Sequence, residues 1–171
     1  MRDVEIQKRS HLTIYVDADA CPVKTEVQQV CEPYDVDIKF VAAYTNKTDR
    51  YPDVSWIWVE PGRDSADFYI MNHFKKGDIV ITEDLGLTAG CLAKSAYVIT
   101  SRGKEIKDSE IDLFLEQRHL HAKARRSGRY EKGPQKIKMA DKSAFIKTLK
   151  KILSKIEGFY QTDIELNYSD L

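Results

Sequence analysis

The residues best suited to chemistry fall in three short acidic runs. Val16-Asp17-Ala18-Asp19 closes a run of apolar residues, Gly62-Arg63-Asp64-Ser65-Ala66-Asp67 precedes another, and Ile81-Thr82-Glu83-Asp84 ends a third. Asp17 and Asp19 stand two apart, a spacing that turns both carboxylates the same way in extended backbone. Asp64 and Asp67 stand three apart and share one face if a helix begins there. Taken singly, each run has an ordinary explanation, since Asp and Ser cap helices and acids favour helix N-termini. Three in one small domain point to a joint site. Carboxylates brought together raise one another's pKa, so a cluster stays ionised only around a cation. Oxygen ligands suit a hard divalent ion. No His or Cys stands at zinc-like spacing, so Mg²⁺ or Mn²⁺ is expected, held by Asp17, Asp19, Asp64, Asp67 and Asp84. Such an ion acidifies a bound water and neutralises charge developing on a phosphate. In that chemistry Asp17, Asp64, Asp67 and Asp84 are the catalytic candidates.

Other nucleophiles are weaker candidates. Cys21 precedes a predicted helix, a place that can lower a thiol pKa, but Asp17 and Asp19 beside it act in the opposite direction. Packing or shaping of the site is its expected role. Cys21, Cys31 and Cys91 have no metal-site spacing and read as reduced thiols. His11, His73, His119 and His121 lie apart from the acidic runs, and no Ser-His-Asp arrangement stands out.

The elements that must position the acids follow from hydrophobic pattern. Strands are predicted over 11–17, 36–43, 55–59, 79–82 and 96–100, with helices from Pro22 to near Pro33, over 65–74 and over 85–94. This alternation predicts an α/β fold with a mainly parallel sheet, in which ligands bind beyond the carboxyl ends of the strands. A helix over 108–126 should turn Ile111, Phe114, Leu115 and Leu120 inward. A Gly/Pro-containing basic loop over 127–134 follows, then a last helix over 142–156 and a less ordered tail over 158–171.

The 171 residues suit one domain, and no apolar run approaches the roughly 20 residues a bilayer span needs. The charged start has no signal-peptide pattern, so a cytoplasmic location is expected. The formal net charge is zero but unevenly spread. Met1–Thr100 holds 11 Lys/Arg against 16 Asp/Glu, whereas Arg118–Lys155 holds 13 basic residues and two acidic ones, Glu131 and Asp141. An acidic part joined to a basic one suits metal chemistry beside a polyanion, with RNA as the expected partner, although a basic helix solvated on its own accounts for the charge equally well. The oligomeric state is open, a homodimer included.

Val16-Asp-Ala-Asp-Ala-Cys-Pro-Val-Lys24 resembles the signature of the YaiI/YqxD family of bacterial proteins. The resemblance continues through Gly62–Asp67, Gly77–Asp84, Arg102-Gly103, Arg125-Arg126-Ser127-Gly128, Gly133-Pro134 and Asp141–Phe145, and covers roughly residues 12–153. It implies a PIN-like three-layer fold over residues 1–157, with the central sheet flanked by helices and residues 158–171 as a tail. It also implies acidic strand ends that bind divalent metal and cut RNA, a pattern matched by Asp17, Asp64 or Asp67, and Asp84, with Asp19 as a fourth candidate. Ser65 stands where Ala is usual. Lys142 stands where Arg is usual, which keeps the charge and loses the planar fork. Beside this pattern, Lys24, Arg102, Arg125 and Arg126 are the candidates for positioning phosphates, with Arg129, Lys132 and Lys136 flanking the same loop.

Two rival readings remain. Strand-then-Asp-x-Asp also opens haloacid-dehalogenase-like phosphatases, but Cys21-Pro22 replaces the small hydroxylated stretch expected there, and the long basic segment exceeds what a small phosphate ester needs. A non-catalytic RNA-binding module with a residual metal site is the other.

Overall fold

A computed structural model describes the backbone of residues 11–128 and 135–169, and the side chains of these as far as residue 157. Six strands form one sheet in the order β3-β2-β1-β4-β5-β6. They are β1 (Thr13–Asp17), β2 (Asp37–Ala43), β3 (Ser55–Val59), β4 (Ile79–Ile81), β5 (Tyr97–Ile99) and β6 (Glu105–Ile106). All neighbours pair in parallel except β5 and β6. Among the described residues, five α-helices complete the fold: α1 (Lys24–Cys31), α2 (Ser65–His73), α3 (Leu85–Ala93), α4 (Ile111–Arg126) and α5 (Met139–Ser169).

Side-chain alternation along the strands divides the core into two layers. Ile14 and Val16 of β1, with Phe40 and Ala42 of β2, face α1 and α5, where Val27, Val30, Phe145 and Leu149 close the layer. Tyr15, Val41 and Val80 point the other way, onto Ile70 of α2 and Leu87 and Cys91 of α3. The result is the expected three-layer α/β arrangement. β1 is flanked by strands on both edges and covered on both faces, which explains its run of four buried residues. Phe145 is fully buried, and truncating such a side chain to Ala costs about 3–5 kcal/mol.

Three sequence expectations need correction. The chain makes an additional antiparallel strand, β6, too short to show a pattern of its own. Its turn from β5 passes so close to α5 that a Cβ on Gly103 would lie 2.4 Å from the Ala144 carbonyl carbon. α4 buries none of its residues. Phe114 packs against the core, but Leu115 is 39% exposed and Leu120 55%, so the inward stripe is narrower than its spacing predicts. α5 continues to Ser169 instead of ending near Ile156, because Gly158 alone does not stop a helix that lacks proline. Arg129, Lys132 and most of the basic loop lie outside the described residues. Among the described residues no helix is long and apolar enough to cross a membrane.

Candidate active site

The strand order fixes where a ligand can enter. From β1 the chain winds outward to β2 and β3, then crosses back to β4 on the other side of β1. The carboxyl ends of β1 and β4 therefore border a topological switch point, the usual ligand crevice of open parallel sheets. Asp17 is the last residue of β1 and Asp84 follows β4 by three positions. Asp17 is two residues beyond Tyr15 and so lies on the face covered by α2 and α3.

Thr82 joins the two ends. Its hydroxyl donates to Asp17 Oδ2 at 3.3 Å and accepts from the Asp84 amide at 3.0 Å. Asp84 caps α3, with Oδ1 accepting from the Leu87 amide at 2.7 Å. Asp64 holds the N-cap position of α2 without a side-chain capping bond, and Asp67 lies in the first turn of that helix. Four of the five acids singled out by sequence thus come together. Asp67 registers this most strongly: burial, then Asp84, Asp17 and Asp64, push its carboxyl from the ordinary 3.8 to about 7, against the pull of Arg118. Asp17 is also raised, by burial first, with Asp19 and Asp84 adding to it and the Thr82 hydrogen bond opposing.

Asp19 behaves differently from its sequence expectation. β1 ends at Asp17 and residues Ala18–Ala20 form a single 3-10 turn, so the two acids do not share an extended run. Asp19 Oδ2 accepts from the Ala43 amide at 2.9 Å and Oδ1 from Asn46 Nδ2 at 2.7 Å, which ties it to the end of β2. Its charge still reaches Asp17, but both oxygens are engaged elsewhere. Glu83 is likewise turned away, accepting from the Ser101 amide at 2.7 Å.

The basic candidates separate in the same manner. Lys24 Nζ donates to the Cys21 carbonyl at 2.7 Å, on the α1 side of the sheet. Arg102 is drawn to the start of α5, where it pairs with Asp141 at 2.7 Å and donates to the Gln135 carbonyl. Arg125 and Arg126 are exposed in the last turn of α4. Among the described residues, the cation felt by Asp67 is Arg118, which the sequence marked only as part of a basic segment. A Cβ on Gly86 would lie 2.7 Å from Arg118 Nη1 and 3.2 Å from Asp84 Oδ1, so guanidinium and carboxylate both crowd the first turn of α3. Only the absence of a side chain at Gly86 leaves that room. The Cys21 thiol is pushed up by burial, a larger cause than the nearby carboxylate of Asp17, and this speaks against a nucleophilic role.

Among the described residues, no three His, Cys, Asp or Glu side chains stand close enough to hold an ion as they are arranged. In kind, however, the donor set suits a hard cation. It consists of carboxylates alone, and their mutual repulsion is relieved in part by one exposed guanidinium.

The model of the uncharacterised YaiI/YqxD family matches residues 15–155. This chain belongs to the YaiI/YqxD family. Curated relatives agree over most of its length. A UPF0178 protein of Bacillus velezensis is 39% identical over 163 residues, covering 95% of this chain and 97% of its own. One from Bacillus pumilus is 43% identical over 148 residues, 86% of this chain and 89% of its own, and one from Listeria monocytogenes serotype 4b is 44% identical over 132 residues, 77% and 90%. No solved structure matches the chain. The YaiI/YqxD match spans all four gathered acids together with Thr82, Gly86 and Arg118.

Proposed function

We propose that this protein is a metal-dependent ribonuclease, hydrolysing phosphodiester bonds at the crevice between β1 and β4. The observation that carries the reading is the meeting of Asp17, Asp64, Asp67 and Asp84 at the switch point, with Asp67 under the field of the other three. Asp17, Asp67 and Asp84 would hold Mg²⁺ or Mn²⁺, with Asp64 at the mouth and Asp19 acting on the site through its charge alone. When bound, the ion would acidify a water and neutralise charge on the phosphate under attack.

The protein's own groups have separate tasks. Thr82 orients Asp17 and fixes the backbone of Asp84, and the α3 cap holds Asp84 Oδ1 in place. Arg118, exposed beside the acids, is placed to meet a phosphate that enters there. The cations of α4 would guide the strand by charge. A haloacid-dehalogenase-like phosphatase would need Asp19 as general acid beside Asp17. The engagement of both Asp19 oxygens at the end of β2 weighs against that.

The test is cleavage of end-labelled single-stranded RNA in Mn²⁺ by wild type, Asp84→Asn and an EDTA-treated sample. The reading expects cutting by wild type alone. Binding of RNA without cutting by any sample would move the protein to the non-catalytic binding class.

A further inference from the structure

The opposite face of the sheet carries a cavity. It opens at the carboxyl edge of β1 and β2, on the side of α1 and α5, and encloses about 620 Å³, within the range of small-molecule sites. Asp19 and Ala18 form one wall, so the cavity and the acidic crevice share the end of β1 while lying on different faces. Ala18 and Ala42 keep the floor open, since each is a small residue at a position facing the core layer of α1 and α5.

Among the described residues, three cations line this cavity: Lys24, Arg50 and Lys142. Two carboxylates oppose them, and both are occupied. Glu26 pairs with Lys142 at 3.3 Å, and Asp19 spends both oxygens on the Ala43 amide and Asn46. A formal excess of one positive charge remains. Lys24 commits one of its three ammonium donors to the Cys21 carbonyl, and one Arg50 donor reaches the Tyr51 hydroxyl at 3.4 Å. The balance favours an anion.

The remaining wall is aromatic. Trp56 and Tyr51 both line the cavity and stand roughly perpendicular to the Phe40 ring, at 5.1 and 5.7 Å between centroids, while Trp58 stacks on Trp56 at 4.6 Å. Tyr51 has φ +57, a left-handed backbone that a bulky residue adopts rarely. Such a conformation persists only where the surroundings impose it, and it concentrates at ligand sites. Here it accompanies a Tyr51 hydroxyl 2.8 Å from Thr25 Oγ1 and a ring under the Arg50 guanidinium at 5.3 Å. The strain is thus coupled to an ordered wall of one aromatic ring and one cation.

We propose that this cavity binds one nucleotide unit, its phosphate held by Lys24, Arg50 and Lys142 and its base against Trp56 and Tyr51. Cations with aromatic surfaces form the usual combination for single-stranded nucleic acid, because every base offers a π-face. A free mononucleotide and one nucleotide of an RNA strand share this chemistry. Only the second source rests on the ribonuclease reading, in which the strand would cross the end of β1 from one face to the other.

The chain contains two tryptophans, Trp56 and Trp58, stacked at 4.6 Å, so a Trp58→Phe background leaves Trp56 as the one tryptophan reporter, excited beyond the tyrosine range. Titrations in EDTA with AMP, a six-nucleotide RNA, adenosine and inorganic phosphate test the proposal without the acidic crevice. Saturable quenching by AMP or the RNA is expected, with adenosine and phosphate each weaker by about tenfold. Tighter binding of the RNA assigns the strand as the source, and tighter binding of AMP assigns the free nucleotide. Arg50→Ala, an exposed loop change, and Lys142→Ala should each weaken binding by about tenfold. The same quenching in an Asp84→Asn background would keep this result separate from the fate of the nuclease. No saturable quenching, or quenching untouched by both cation variants, would overturn the proposal.

Discussion

Asp78 and Asp67 show how position within one sheet decides what a carboxylate does. Asp78 precedes β4, at the amino end of the strands, and its two oxygens accept from the Thr13 amide at 3.1 Å and the Lys75 amide at 2.8 Å. It is 5% exposed, and its role is to join the α2–β4 loop to β1. Asp67, at the carboxyl end, instead meets three other acids. With its pKa near 7 in the folded protein and 3.8 in the free side chain, the folded state holds the extra proton between those values. Stability of the metal-free protein therefore falls as pH rises from about 4 to 7, and the cost persists above 7. Asp67→Asn should stabilise the protein at pH 8 in EDTA. Because Asp67 is partly exposed and screened by water, the gain is on the order of 1 kcal/mol. Thermal unfolding at pH 8 and pH 4 checks this, the gain shrinking toward zero at the lower pH. An equal gain at both would mean that the carboxylates do not repel. The acids themselves were legible in the sequence, since each group closes or precedes an apolar run. Arg118 was not, because an exposed Arg in a basic helix looks like its neighbours until Gly86 and Asp84 are seen beside it.

At the scale of elements, the joint between the β5–β6 turn and α5 shows what hydrophobic pattern cannot reveal. Gly103 has φ +84, and its carbonyl accepts from the Thr148 hydroxyl at 2.6 Å. Asp141 takes the Lys138 amide at 2.8 Å as well as Arg102, so the start of α5 is tied to the same turn. Gly103→Ala should cost about 1–2 kcal/mol for the left-handed backbone and about 1–3 more for the contact with Ala144. Gly77→Ala, at φ +86 with nothing within 4 Å of the added Cβ, should cost the backbone contribution alone. Urea unfolding of the two variants compares them, and equal losses would show that the turn gives way freely. The parallel strands and α1 to α3 could be read from apolar runs between turn residues. β6 is two residues long, α4 presents only Phe114 of its expected stripe to the core, and the length of α5 depends on the absence of a stop. β6 and the end of α5 leave no periodic signal, and the spacing in α4 overstates its inward stripe.

At the scale of the molecule, the uneven charge resolves into two groups of elements. The sheet and its first helices bring the acids to one edge, while α4 and α5 carry nine of the 13 basic residues between Arg118 and Lys155, tied back through Arg102–Asp141 and Lys142–Glu26. The strand order places the four acids on one face of the carboxyl edge and the cavity of Lys24, Arg50 and Lys142 on the other. As a ribonuclease, the protein would hold a divalent cation on the gathered carboxylates. Calorimetric titration with Mn²⁺ at pH 7.5 tests it most directly, comparing wild type with Asp17→Asn and Asp84→Asn after circular dichroism has shown each variant folded. One saturable binding event in wild type, weakened about tenfold or more in both variants, is the predicted result. Equal affinity in all three proteins, or no binding by wild type, would contradict it.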